Sequence, residues 1–130
     1  MSYPEIIEKE LSYQIIQAAY EVFNALGPGF VEKIYEGGMY EELLRRNHKV
    51  ERQKRIPIYF KGKQIGIHVL DLLVDERVIL ELKAVAEISP IHKKQALSYL
   101  KATGLELALI INFGANRMQS SRVVHTKRIK

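Results

Sequence analysis

The stretch from Val69 to Lys83, reading VLDLLVDERVILELK, constrains this chain most. Two apolar runs rich in β-branched residues flank the polar turn Asp75-Glu76-Arg77, which is the pattern of a β-hairpin. Side chains alternate across a strand, so Glu81 and Lys83 project from one face and Leu80, Leu82 and Ala84 from the other. Asp71, Glu81 and Lys83 therefore put charge inside strands that otherwise read as core. An unpaired buried carboxylate is costly and two facing carboxylates repel, so the group needs a cation. Lys83 can supply it, and so can a divalent metal ion. Taken alone, the three residues fit a strand salt bridge at a sheet edge just as well.

The remaining elements follow from periodicity and punctuation. Leu11, Ile15, Ile16, Ala18, Ala19, Val22, Phe23 and Leu26 recur at helical spacing, which predicts an amphipathic helix from Pro4 or Glu5 to Leu26, stopped by Gly27-Pro28. A second helix is predicted from Gly29 or Phe30 to Asn47. Gly37 and Gly38 lie inside it at a cost of about 1 kcal/mol each, so packing must compensate or something must approach the backbone. Val50 to Phe60, the four-residue turn 61–64 and a strand from Ile65 to Val74 form a hairpin that the opening stretch extends into an antiparallel meander. Ser89 as N-cap and Pro90 at N1 start a third helix that ends at Thr103-Gly104. Leu107 to Ile111 reads as a strand covered on both faces, 112–116 as a loop, and Arg122 to His125 as a short edge strand. The order α, α, β, β, β, α, β, β implies an α/β (α+β) fold, one mixed sheet flanked by helices.

With 130 residues, the chain is expected to be a single domain with one core. The absence of Cys excludes disulfides, thiolate zinc sites and Cys nucleophiles. Glu5, Glu8 and Glu10 stand where a secretory leader would be basic and then apolar, and no apolar run reaches membrane-spanning length, so a cytoplasmic protein without a membrane partner is expected. Net charge is +5, with basic clusters at Arg45 to Lys49, Arg52 to Arg55, His92 to Lys94 and Lys127 to Lys130. Such surfaces attract phosphate backbones, and they equally serve as solvated helix ends and edge-strand lysines.

Glu32 and Tyr35 stand three residues apart on one face of the second helix. Taken singly, Glu32 complements the positive end of a helix dipole and Tyr35 packs with its hydroxyl at the rim. Together with Leu26-Gly27-Pro28, however, Gly29-x-x-Glu32-x-x-Tyr35 resembles the hallmark of the GxxExxY family, a branch of the PD-(D/E)XK nuclease superfamily. Asp71-Leu72-Leu73-Val74, Glu81-Leu82-Lys83-Ala84, Gln95 with Tyr99-Leu100-Lys101, and Ile111-Asn112-Phe113-Gly114 follow in the same order. Phe23 stands where that family more often carries a His.

The resemblance implies a restriction-endonuclease-like αβββαβ core with an extra N-terminal helix. It implies Glu32, Asp71, Glu81, Lys83, Gln95 and Tyr99 as catalytic residues. Asp71, Glu81, the carbonyl of Leu82 and Glu32 would surround Mg²⁺ or Mn²⁺, a hard cation that prefers oxygen ligands. Gln95 and Tyr99, four apart on the third helix with His92 on the same side, match the Q-x-x-x-Y feature of the RecB-like and exonuclease branches. The implied activity is hydrolysis of phosphodiester bonds in nucleic acid, DNA before RNA, by a homodimer that pairs two sites. The rival is a non-catalytic module that keeps the cleft to bind nucleic acid or protein.

Overall fold

The computed structural model describes residues 6–126, so Pro4, Glu5 and the basic tail at 127–130 lie outside the described residues. The elements are α1 (Lys9–Leu26), α2 (Glu32–Arg45), β1 (Val50–Phe60), β2 (Lys63–Val74), β3 (Val78–Lys83), α3 (Pro90–Thr103), β4 (Leu107–Asn112) and β5 (Gln119–Val124). The strands form one sheet in the order β1-β2-β3-β4-β5. β3 and β4 are parallel, joined through α3 as a crossover, and the other neighbours are antiparallel.

Two apolar cores cover the two faces of this mixed sheet. Leu72, Val74, Leu80, Leu82, Leu109 and Ile111 pack against α1 and α2. Leu73, Ile79, Ala108 and Ile110 pack against Ala96, Tyr99 and Leu100 of α3. Coverage on both sides is why β4 reads as an unbroken apolar run. Leu80 and Leu82 face α1 and α2 with Ala84 packed beside them, which leaves Glu81 and Lys83 on the α3 side as alternation requires.

Several boundaries differ from the sequence reading. α1 starts at Lys9, because Glu8 adopts a left-handed backbone at φ 54°. α2 starts at Glu32 and not at Gly29: Gly29 sits at φ 107° and Val31 is extended. It stops at Arg45, before Asn47 at φ 67°. The β1–β2 turn is the two residues Lys61 and Gly62, at φ 48° and 82°, instead of four. β5 begins at Gln119, three residues earlier than expected. Gly38 answers the question of the helix glycines: a Cβ there would lie 3.0 Å from Val22 Cγ1, so its absence lets α2 approach α1.

Candidate active site

The sheet is interrupted beside the acidic residues, apart from the register shift between Ile58 and Tyr59 farther out on the hairpin. The β1–β2 register pairs Arg52 with Leu72 and Lys54 with Leu70 but skips Gln53 and Asp71 between them, and Gln53 has φ 50°. On the other side of β2, pairing with β3 ends at Leu72 and Leu80. The alternation of faces slips there too, since Leu70 and Leu73 both join the α3 core. Asp71 therefore sits where β2 leaves the ladder on both sides, and its backbone must find other partners.

Side chains supply them. Asp71 Oδ2 accepts the Leu82 backbone N–H at 2.8 Å, and Glu81 Oε2 accepts the Asp71 backbone N–H at 3.3 Å. Glu81 is buried, at 4% exposure, and Asp71 half-buried. Burial first, then the Asp71 charge, pushes the Glu81 carboxyl up to about 8. Burial also raises Asp71, with Glu36 and Glu32 adding to the rise and the Leu82 N–H and Lys83 opposing it.

Lys83 does not neutralise the pair. Its Nζ donates to Gln95 Oε1 at 3.5 Å, and among the described residues it forms no ion pair with either carboxylate. Tyr99 lies buried on the same face, its phenol pushed up to about 12 by burial and by the charges of Glu81 and Asp71, so it remains a neutral O–H donor. The structure thus brings together Asp71, Glu81 and Tyr99, with Lys83 and Gln95 beside them.

Glu32 is more distant. It is exposed in the first turn of α2, and its charge is felt by Asp71 and Glu81. Among the described residues, no three His, Cys, Asp or Glu side chains come together closely enough to enclose a metal ion. What fits a cation is the donor chemistry: two neighbouring carboxylates, one of which burial and the charge of the other push up to about 8, so that it keeps its proton near neutral pH. His92 belongs elsewhere, as its Nδ1 accepts the Ser89 N–H at 3.1 Å in a capping box that starts α3.

Tyr35 fixes the approach to the site. Its ring stacks on Phe113 at 4.5 Å and 3°, and its hydroxyl donates to Gly27 O at 2.5 Å and accepts the Phe30 N–H at 3.2 Å. It is fully buried, not at a rim, and it pins the loop from which α2 presents Glu32. Phe23 packs against the same Phe113, at 6.3 Å, so at this position an apolar contact serves where a His would be polar.

Two residues near the site went unread in the sequence. Glu36, at 4% exposure, accepts the Arg52 Nε and Nη2 donors at 3.1 Å each and Gln53 Nε2 at 2.6 Å. Its signal was its spacing: it shares the apolar stripe of Met39 and Leu43 and lies four residues after Glu32. His68 packs edge-on against Tyr99 at 4.5 Å and 68°, and no local pattern marks it.

Comparison with known proteins agrees with this geometry. A family model described as the PD-(D/E)XK nuclease superfamily matches residues 9–125. A solved structure described as "Crystal structure of SSO0001" superposes with a TM-score of 0.54 at 18% identity, over 91% of this chain and 59% of that one. At that identity the likeness is one of fold, and the chain spans well under two thirds of its solved relative. No curated protein matches the chain. Among the described residues no helix is long and apolar enough to cross a membrane.

Proposed function

Because the chain belongs to the PD-(D/E)XK nuclease superfamily, whose members act on nucleic acid and generally use divalent metals, we propose that it hydrolyses phosphodiester bonds in DNA with Mg²⁺ or Mn²⁺ held at Asp71 and Glu81. We place it in the GxxExxY branch on Gly29, Glu32 and Tyr35. The observation that carries the reading is the Asp71–Glu81 pair at the break in the sheet, unneutralised by Lys83.

Each residue then has a role. Asp71 and Glu81 offer hard oxygen ligands, with the Leu82 carbonyl as a third and Glu32 beyond them. When bound, the ion supplies Lewis acidity that draws charge from the phosphoryl group and makes a water easier to deprotonate. Lys83, whose Nζ meets Gln95 and no carboxylate among the described residues, can orient the attacking water or meet developing negative charge. Tyr99 and Gln95 donate hydrogen bonds to the strand being cut, and a homodimer would present two such sites to two strands.

The test is cleavage of supercoiled, single-stranded and branched DNA, and of RNA, with Mg²⁺ or Mn²⁺. Wild type should cut, and Asp71→Ala and Glu81→Ala should lose at least about a hundredfold in rate, as loss of metal ligation implies, while still binding DNA. Binding with no cleavage in either ion would overturn the catalytic reading. RNA cut in preference to DNA would overturn the choice of substrate.

A further inference from the structure

The β1–β2 hairpin overhangs the rest of the sheet. β2 pairs with β3 only from Leu72 to Val74, but with β1 as far out as Phe60 and Lys63. Between this overhang and α3 lies an open groove of about 440 Å³, bordered by Ile58, Tyr59, His68, Ser98 and Lys101. That is within the range of small-ligand sites. Tyr59 is 61% exposed. His68 Nε2 lies 3.3 Å from Ser98 Oγ on the groove floor, and the same ring packs on Tyr99, which feels the charges of Glu81 and Asp71. The groove therefore lies on the same side of the sheet as the carboxylate pair, with His68 and Tyr99 between them.

Lys101 lines the groove, and the stretches of hairpin and helix that border it carry charge of one sign. From Arg52 to Leu70 the hairpin carries Lys and Arg but no Asp or Glu, and α3 from Pro90 to Thr103 carries Lys and likewise no Asp or Glu. Arg52 and Lys54 are engaged by Glu36 and Glu51. Arg55, Lys61, Lys63, Lys94 and Lys101 form no ion pair among the described residues, while Lys93 borders a separate pocket with Glu87. Cations that track a phosphate backbone, beside an exposed aromatic face and small polar donors, are the features by which proteins hold unpaired nucleotides.

We infer that this groove receives an unpaired nucleotide of the substrate strand, its base against Tyr59 and its phosphate at Lys101, so that the substrate class is single-stranded or frayed DNA. The inference rests on the nuclease reading only for the word substrate; the binding itself needs no cleavage. A base held in a duplex would have to leave its stack to enter, at an energetic cost that a free strand does not meet.

The experiment is fluorescence anisotropy in EDTA with a labelled oligothymidine and a blunt duplex of equal length. It uses wild type, Tyr59→Ala, Lys101→Ala and, as a control on α2 across the sheet, Arg45→Ala. Wild type should prefer the single strand by about tenfold, and Tyr59→Ala should weaken that binding by about tenfold, the loss of one stacked base. Lys101→Ala should weaken it severalfold with a shallower salt dependence, and Arg45→Ala should not change it. Equal affinity for the duplex, or single-strand binding untouched by both groove variants, overturns the inference. Tyr59-dependent binding by a protein that cuts nothing in Mg²⁺ or in Mn²⁺ would support the groove and sink the nuclease. Cleavage by a protein whose groove variants bind like wild type would do the reverse.

Discussion

Glu81 Oε2 accepts the backbone N–H of Asp71 at 3.3 Å, across the point where β2 and β3 stop pairing. A carboxylate thus stands in for a ladder acceptor, in a buried place and next to a second carboxylate. The hydrogen bond favours the ionised form of Glu81, but burial and the Asp71 charge outweigh it and the carboxyl is pushed up to about 8.

The first prediction follows from that shift. Unfolded, Glu81 would ionise near 4.5; folded, near 8. The native state therefore holds a proton that the unfolded state has released. The stability this contributes is fully present below 4.5 and is lost as pH rises to about 8, at up to about 1.4 kcal/mol per pH unit. Glu81→Gln should remove the dependence and melt higher than wild type at pH 8.5. Thermal melts from pH 5 to 9 check this, and a wild-type profile parallel to that of Glu81→Gln would show that Glu81 is not so perturbed.

Metal binding should release the same proton. At pH 6.5 an ion that takes Glu81 as ligand must displace it, so affinity should rise with pH and flatten above about 8. Calorimetric titration of Mn²⁺ in two buffers of different ionisation enthalpy should show close to one proton released per site at pH 6.5 and little at pH 9. Asp71→Asn should abolish the heat. Binding without proton release would place the ion elsewhere.

Glu36 sets up a third prediction. Its carboxylate is nearly inaccessible, while the Arg52 side chain that meets it is 40% exposed. Removing one partner of a buried pair costs about 3–5 kcal/mol, and the exposure of Arg52 reduces that, so Arg52→Ala should lose about 2 kcal/mol in urea unfolding. Glu36→Gln should lose less, because Gln53 and Arg52 can still meet an amide oxygen, and it should lower the Asp71 pKa by removing a repelling charge. Equal losses for the two variants would mean that the charge of Glu36, and not its hydrogen-bond acceptor, is what holds Arg52.

What the sequence disclosed, and what it withheld, divides by range. The Val69 to Lys83 hairpin was legible because a period of two is local, and β4 because continuous burial leaves a continuous apolar run. Placing Asp71 beside Glu81 followed from that hairpin alone. The break in the ladder did not, since Gln53 adopts a positive φ without the Gly or Asn that announces one. Glu36 is satisfied by donors 16 and 17 residues away, and His68 meets Ser98 across 30 residues. No window of sequence contains those contacts. The start of α2 differs for another reason: the Tyr35 hydroxyl, buried against Phe113, holds Gly27 and Phe30 out of the helix.

The last prediction concerns the segment after Lys83, whose carbonyl accepts the Phe113 N–H at 2.9 Å. Asn112, fully buried, accepts the Val85 and Gly114 N–H groups at 2.9 and 3.0 Å and donates to Val85 O and Gln119 Oε1 at 2.9 Å each. The two bonds to Val85 hold the chain that leaves β3, and those to Gly114 and Gln119 tie it to the loop after β4 and to β5. A Cβ on Gly114 would lie 2.3 Å from Val85 N and 2.4 Å from Ala84 C, against backbone that has no rotamer to give. Gly114→Ala should therefore cost about 3 kcal/mol, and Asn112→Ala about the same by leaving buried backbone groups unpaired. Gly38→Ala meets only a Val22 methyl at 3.0 Å, and helix propensity offsets the crowding, so it should fall within about 1 kcal/mol of wild type. Urea titrations of the three variants rank them. A Gly114→Ala protein as stable as Gly38→Ala would show that the loop after Lys83 is free to move away, and that the lysine is not held by this clamp.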